Sequence, residues 1–144
     1  MALPTPVPGL VLSYAYLWRD EARRGHEDGH KDRPCVIVLS VQNRDGQVLV
    51  AVAPITHSQP RNRDHAIEIP AETKARLGLD DARSWIVATD LNRFNWPGVD
   101  LRPIARGGLD YAYGVLPAAL YKQLRDKVTN LARTGRTAVT TRSD

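Results

Sequence analysis

The feature that most narrows the fold is a succession of short apolar runs, each cut off by residues that turn the chain. From Gly9 to Trp18, aromatic and aliphatic side chains take every second place, on Leu10, Leu12, Tyr14, Tyr16 and Trp18. A period of two predicts a strand. A β-branched run from Pro34 to Gln42 predicts a buried strand, Asn43-Arg44-Asp45-Gly46 a turn, and Gln47 to Ala53 the returning strand of a hairpin. Further strands are expected at His65–Ile69, from Ser84 to Thr89 and on toward Phe94, and at Val99–Ile104, with turns at Asn95–Gly98 and Gly107-Gly108. Helical signals are fewer. Pro70 opens a brief helix that Gly78 stops. Leu116, Leu120, Leu124, Val128 and Leu131, at steps of four, four, four and three, mark one face of a helix that starts near Pro117 and ends at Gly135. The pattern predicts a mainly β protein with helices, a compact antiparallel barrel or strongly bent sheet carrying a short helix and a C-terminal amphipathic helix.

A chain of 144 residues suits one domain, 1–144, with a proline-spaced N-terminal arm at 1–8 and a flexible basic tail at 136–144. Hydrophobic residues make up 42% and charged residues 25%, which excludes a disordered chain, a collagen and a coiled rod. No apolar stretch is long enough for a membrane helix, and Met1 to Pro6 lacks the charged and apolar regions of a signal peptide, so the expected location is the cytoplasm, away from membranes. The lone Cys35, inside an apolar run, is expected to be a small buried hydrophobe. Twenty Lys and Arg against 16 Asp and Glu leave a formal charge of +4, which admits a phosphate-bearing partner without requiring one.

Candidate chemistry clusters at predicted strand ends. Glu27 with Arg33-Pro34, the corner Thr56-His57-Ser58, and Asp90 with Arg93 are polar groups that a small barrel can bring to one surface. Each alone has a simpler reading: Arg33 anchoring a loop end, Thr56 satisfying a turn, Asp90 capping a bend. The almost wholly charged stretch from Arg19 to Asp32, broken by Gly25 and Gly29, is expected to be an exposed loop. His26 and His30 are four apart, but Gly29 between them removes the helical face a metal pair needs, and no metal is expected. No Gly-rich phosphate loop, nucleophile elbow or kinase signature appears.

The order of these segments resembles the MazF/PemK toxins of bacterial toxin–antitoxin systems. The matching residues are Gly9, then Gly25-His26-Glu27, then Arg33-Pro34 leading into Cys35-Val36-Ile37-Val38. Ala53-Pro54-Ile55-Thr56-His57-Ser58 follows, then Asp90 with a basic residue three places on at Arg93, then the C-terminal helix. The resemblance implies a small SH3-like barrel and a toxin endoribonuclease, a homodimer that cleaves single-stranded messenger RNA without metal or other cofactor, that a small antitoxin neutralises, and that meets DNA only through the antitoxin complex.

In such a reaction a ribose 2′-hydroxyl attacks its own phosphate, leaving a cyclic phosphate and a 5′-hydroxyl. Arg33 suits charge neutralisation, because a guanidinium stays charged and spans two phosphate oxygens. The Thr56 hydroxyl suits donation to the same phosphate. Neither is an easy base, so Asp90, then Glu27, then His57 are the proton acceptors considered. Arg61, Arg63 and Arg93, with His57 and Ser58, are candidate RNA contacts. Trp96, Tyr14 and Tyr16 offer faces for stacking, although core or interface packing is the stronger expectation for large aromatics. A non-catalytic barrel that binds nucleic acid or protein, and a poison of DNA gyrase, are the rival functions.

Overall fold

A computed structural model describes residues 3–25 and 32–142. Eight strands are placed in one curled sheet: β1 (Leu10–Ala15), β2 (Asp32–Gln42), β3 (Val48–Thr56), β4 (Ala66–Glu68), β5 (Trp85–Val87), β6 (Asp90–Asn95), β7 (Ala112–Val115) and β8 (Ala138–Thr141). The helices are α1 (Arg19–Arg23), α2 (Ala71–Leu77) and α3 (Ala118–Arg133). The strand order is β4-β5-β3-β2-β1-β7, and β6 pairs with β3 on one side and with β8 on the other. Every pairing is antiparallel except the parallel β6–β8. The result is a mostly antiparallel half-barrel closed by a C-terminal helix, in agreement with the predicted class.

The period-two pattern sorts the central strands into two cores. Val11, Val36, Val38, Ala51, Ala53 and Ile55 pack toward α3 and α2, while Leu12, Tyr14, Cys35, Ile37, Val50 and Val52 pack inside the curl with Tyr16 and Phe94. Both faces of β1 and of the middle of β2 and β3 are therefore covered, which is why those segments are continuously apolar. Leu120, Leu124, Val128 and Leu131 form the buried stripe of α3. Each such side chain contributes about 1.5–3 kcal/mol by leaving water. Gly78 ends α2 in the left-handed region, at φ 72°, where a Cβ would be strained. At the hairpin, the Asn43 side-chain oxygen accepts the N–H groups of Asp45 and Gln47.

Four expectations require correction. The stretch after Trp18 begins as α1, whose first turn is held by the Glu21 carboxylate accepting the Trp18 N–H at 3.1 Å. The run from Ser84 to Phe94 is two strands, because β5 pairs with β3 and β4 while β6 pairs farther along β3. Val99–Ile104 forms only an isolated bridge, Leu101 with Tyr14. The basic tail does not fray as far as Arg142: residues 138–141 are a strand, and Arg142 is buried. The reason is polar. Arg142 pairs with Asp100 at 2.9 Å and donates to the carbonyl of Ala15 at 2.7 Å and to Asn92 at 3.2 Å. Asn92 in turn bonds the backbone of Leu17 in both directions.

Candidate functional site

Arg33 and Thr56 lie on neighbouring strands. The β2–β3 register ends with Cys35 opposite Pro54, and Arg33 and Thr56 each lie two residues beyond that pair, Arg33 against Tyr14 of β1 and Thr56 against Trp85 of β5. Proximity is direct: the Arg33 guanidinium donates to the carbonyl of Ile55 at 3.4 Å. It also lies 5.1 Å from the centre of the Trp18 ring, which orients its plane. The Thr56 hydroxyl oxygen accepts the Ser58 N–H at 3.1 Å, which leaves its hydrogen able to donate to another group.

Both residues line an open cleft of about 500 Å³, together with Pro34, His57, Ser58, Lys74, Asp80 and Tyr113. Both also line an adjoining cleft of about 450 Å³, bounded by Trp18, Arg61 and Asn62. Strand β3 thus ends between two hollows, and the Arg33–Thr56 pair borders each.

The other candidates scatter. His57 and Ser58 border the larger cleft, and Arg61 the adjoining one. Arg63 sits on a 3₁₀ turn at Arg63–His65 and lines a separate hollow with Glu68 and Arg83. Arg93 is turned to β8, where it donates to Thr141 at 3.0 Å. Glu27, with His26 and His30, lies outside the described residues.

Asp90 borders neither cleft. Its carboxylate accepts the Tyr16 hydroxyl at 2.5 Å and the Arg19 N–H at 3.2 Å, joining β6 to β1 and the start of α1. Burial raises its pKa above the ordinary carboxylate range, against the opposing pull of those two donors. Tyr14 and Tyr16 are fully buried in the inner core, and Trp96 packs on Phe94.

Sequence reading missed three lining residues. Lys74 of α2 has a side chain only 5% exposed. Its ammonium donates to Asp80 at 2.6 Å, to the Ser84 hydroxyl at 2.6 Å and to the carbonyl of Ala82. Asp80 bonds Nε2 of His57 at 2.8 Å and accepts the Ala82 N–H at 3.2 Å. The Lys74 ammonium, foremost, holds the Asp80 carboxyl below its ordinary range. Tyr113 closes the cleft from β7, its hydroxyl pKa raised by burial. Lysine on a short helix reads as a solvated residue, and nothing in the spacing couples His57 to an acid 23 positions away.

The cleft can therefore receive an anion between a guanidinium and a hydroxyl donor, beside a ring tied to a carboxylate. Among the described residues no group of three or more His, Cys, Asp or Glu could hold a metal ion. None of the described helices is long and apolar enough to cross a membrane. Burial pushes the Cys35 thiol well above its usual pKa, as suits a core residue. No curated protein matches the chain. The model of the PemK-like, MazF-like toxins of type II toxin–antitoxin systems matches residues 15–97, more than half of the 144 and the span that carries Arg33, Thr56 and Asp80, and the chain belongs to that family.

Proposed function

We propose that the protein is the toxin of a type II toxin–antitoxin pair and acts as an endoribonuclease on single-stranded RNA. The observation that carries the reading is the convergence of Arg33 and Thr56, from two strands, on the border of one open cleft. A scissile phosphate seated there meets a permanent cation able to take two of its oxygens, and a hydroxyl able to donate to it. The 2′-hydroxyl attacks phosphorus, the bond to the 5′ oxygen breaks, and the products are a 2′,3′-cyclic phosphate and a 5′-hydroxyl. Arg61, in the adjoining cleft, is placed to hold the next phosphate, and the Trp18 edge bounds the same hollow.

We further assign the protein a homodimer and a small antitoxin partner. An apolar groove beside α3, lined by Val38, Leu39, Leu91, Tyr121 and Val128, supports a protein contact there.

The test is product chemistry. Purified protein incubated in chelator with a mixed-sequence RNA transcript is expected to leave cyclic-phosphate and 5′-hydroxyl ends. A strand with 2′-deoxyribose at the cut position should resist. Tight RNA binding with no cleavage would replace this reading with a binding barrel, and inhibited supercoiling with intact RNA would replace it with a gyrase poison.

A further inference from the structure

We propose that His57 is the proton acceptor of the reaction, taking the 2′-hydroxyl proton on Nδ1, and that Asp80, fixed by Lys74, is the positioning residue that holds its ring. This rests on the ribonuclease reading above and names the group that reading leaves open.

Three observations carry it. His57 follows Thr56 directly in the chain and borders the same cleft as the Arg33–Thr56 pair, whereas Asp90 does not. Its Nε2 is 2.8 Å from Asp80 Oδ2. A carboxylate only accepts, so Nε2 must carry the hydrogen and Nδ1 of the neutral ring keeps its lone pair. Among the described residues no hydrogen bond engages Nδ1, and the side chain is 58% exposed, open to a substrate.

The third observation is how Asp80 is held. It lies just past the end of α2, on a loop that would ordinarily drift. All three hydrogens of the Lys74 ammonium are committed, to Asp80, the Ser84 hydroxyl and the Ala82 carbonyl. A buried lysine fully spent on one loop fixes that loop's geometry and keeps Asp80 ionised. The charged and titratable groups lining the cleft with His57 are Asp32 and Arg33 from β2, Lys74 from α2, Asp80 from the loop and Tyr113 from β7. Arg33 opposes a positive ring and Asp80 supports one, so the imidazolium formed during the step is compensated at its other nitrogen.

The step balances without an outside reagent. The 2′ oxygen gives its proton to Nδ1 and its electron pair to phosphorus, the P–O5′ bond breaks, and O5′ takes a proton from water. His57 then releases its proton to solvent, and Asp80 stays ionised throughout.

The experiment compares wild type with His57→Ala, Asp80→Asn, Asp80→Glu and Arg33→Ala on the same transcript in chelator, with thermal melting as a check on folding. His57→Ala is expected to slow cleavage about a hundredfold, the usual share of a general base, and free imidazole should restore part of the rate. The wild-type rate should rise with pH and then level off. That rise should vanish in His57→Ala and move to lower pH in Asp80→Asn, because losing the carboxylate disfavours the imidazolium. Asp80→Glu should recover part of the loss. If wild type and His57→Ala cleave alike while Arg33→Ala is inactive, the inference falls and the ribonuclease reading stands. A melt-intact His57→Ala that is slow but deaf to imidazole, with its pH rise unchanged, also overturns it. Wild type that cuts no RNA defeats both.

Discussion

Around the cleft, Asp80 divides its carboxylate among Lys74, His57 and a backbone N–H while 54% of its side chain stays in water; beneath β8, the Arg142 and Asp100 side chains are 3% and 6% exposed. The Asp80 carboxylate is screened by water on its open side while the buried Lys74 ammonium keeps it in place, so the His57 ring it holds can meet a substrate. The dry pair has no such open side. Its geometry is saturated by Ala15, Asn92 and the face of Tyr14, 5.8 Å away, and it ties the end of the chain to β1 and β6. Two carboxylates, Asp80 and Asp90, divide along the same line. Asp80 faces a cleft and holds a titratable ring, whereas Asp90 is a joint between β6 and β1.

The largest effect that separates the two regions is expected at the dry one. Arg142→Ala leaves Asp100 buried without its cation and should cost about 3–5 kcal/mol in urea unfolding, while cleavage per folded molecule is unchanged. A cost below about 1 kcal/mol would place β8 outside the cooperative unit. Next is Arg33→Ala, expected to lower cleavage by about 100- to 1000-fold, the range seen when a group stabilising transition-state charge is removed. Melting should barely move; a large stability loss with retained activity would invert the comparison and make Arg33 a structural anchor.

Tyr16→Phe tests the joint at Asp90. It removes the 2.5 Å donor and should cost about 1 kcal/mol, a few degrees of melting temperature, with activity retained. Loss of cleavage with unchanged melting would return Asp90 to the chemistry.

The smallest effect concerns pH. Asp80 is lowered in the folded state, so its contribution to stability is present above the ordinary carboxylate pKa and lost as pH falls through the folded value. Asp90 is raised, so the folded state favours its protonated form, and its contribution declines as pH rises from the ordinary value to the folded one. Melting followed from pH 3 to 6 should therefore lose acid sensitivity in Asp80→Asn. In Asp90→Asn the acid sensitivity should steepen instead, because an opposing slope has been removed. Equal curves for both variants would erase the distinction.

Much of the scaffold was legible from pattern. The hairpin at Asn43–Gly46, the stop at Gly78 and the leucine stripe of α3 are local signals, because turn geometry and helical period act within a few residues. The division of 84–94 into two strands was not, since its apolar content suits either; which part of β3 each segment meets decides it. At the site, Arg33 and Thr56 stood out as polar residues at the ends of apolar runs. Lys74 and Asp80 did not, because a helical lysine and an acid after a glycine stop look solvated until the fold buries one against the other.

The order of residues by itself determined the central hairpin, the extents of α2 and α3 and the β class, since these follow from side-chain period and backbone preference over short spans. Only the tertiary structure decided which carboxylate meets a histidine, which one locks a strand, and that a polar tail carries a buried arginine. Such pairings join positions 23 to 127 apart in the chain. Their energies depend on burial and distance, and neither quantity exists until the sheet has curled.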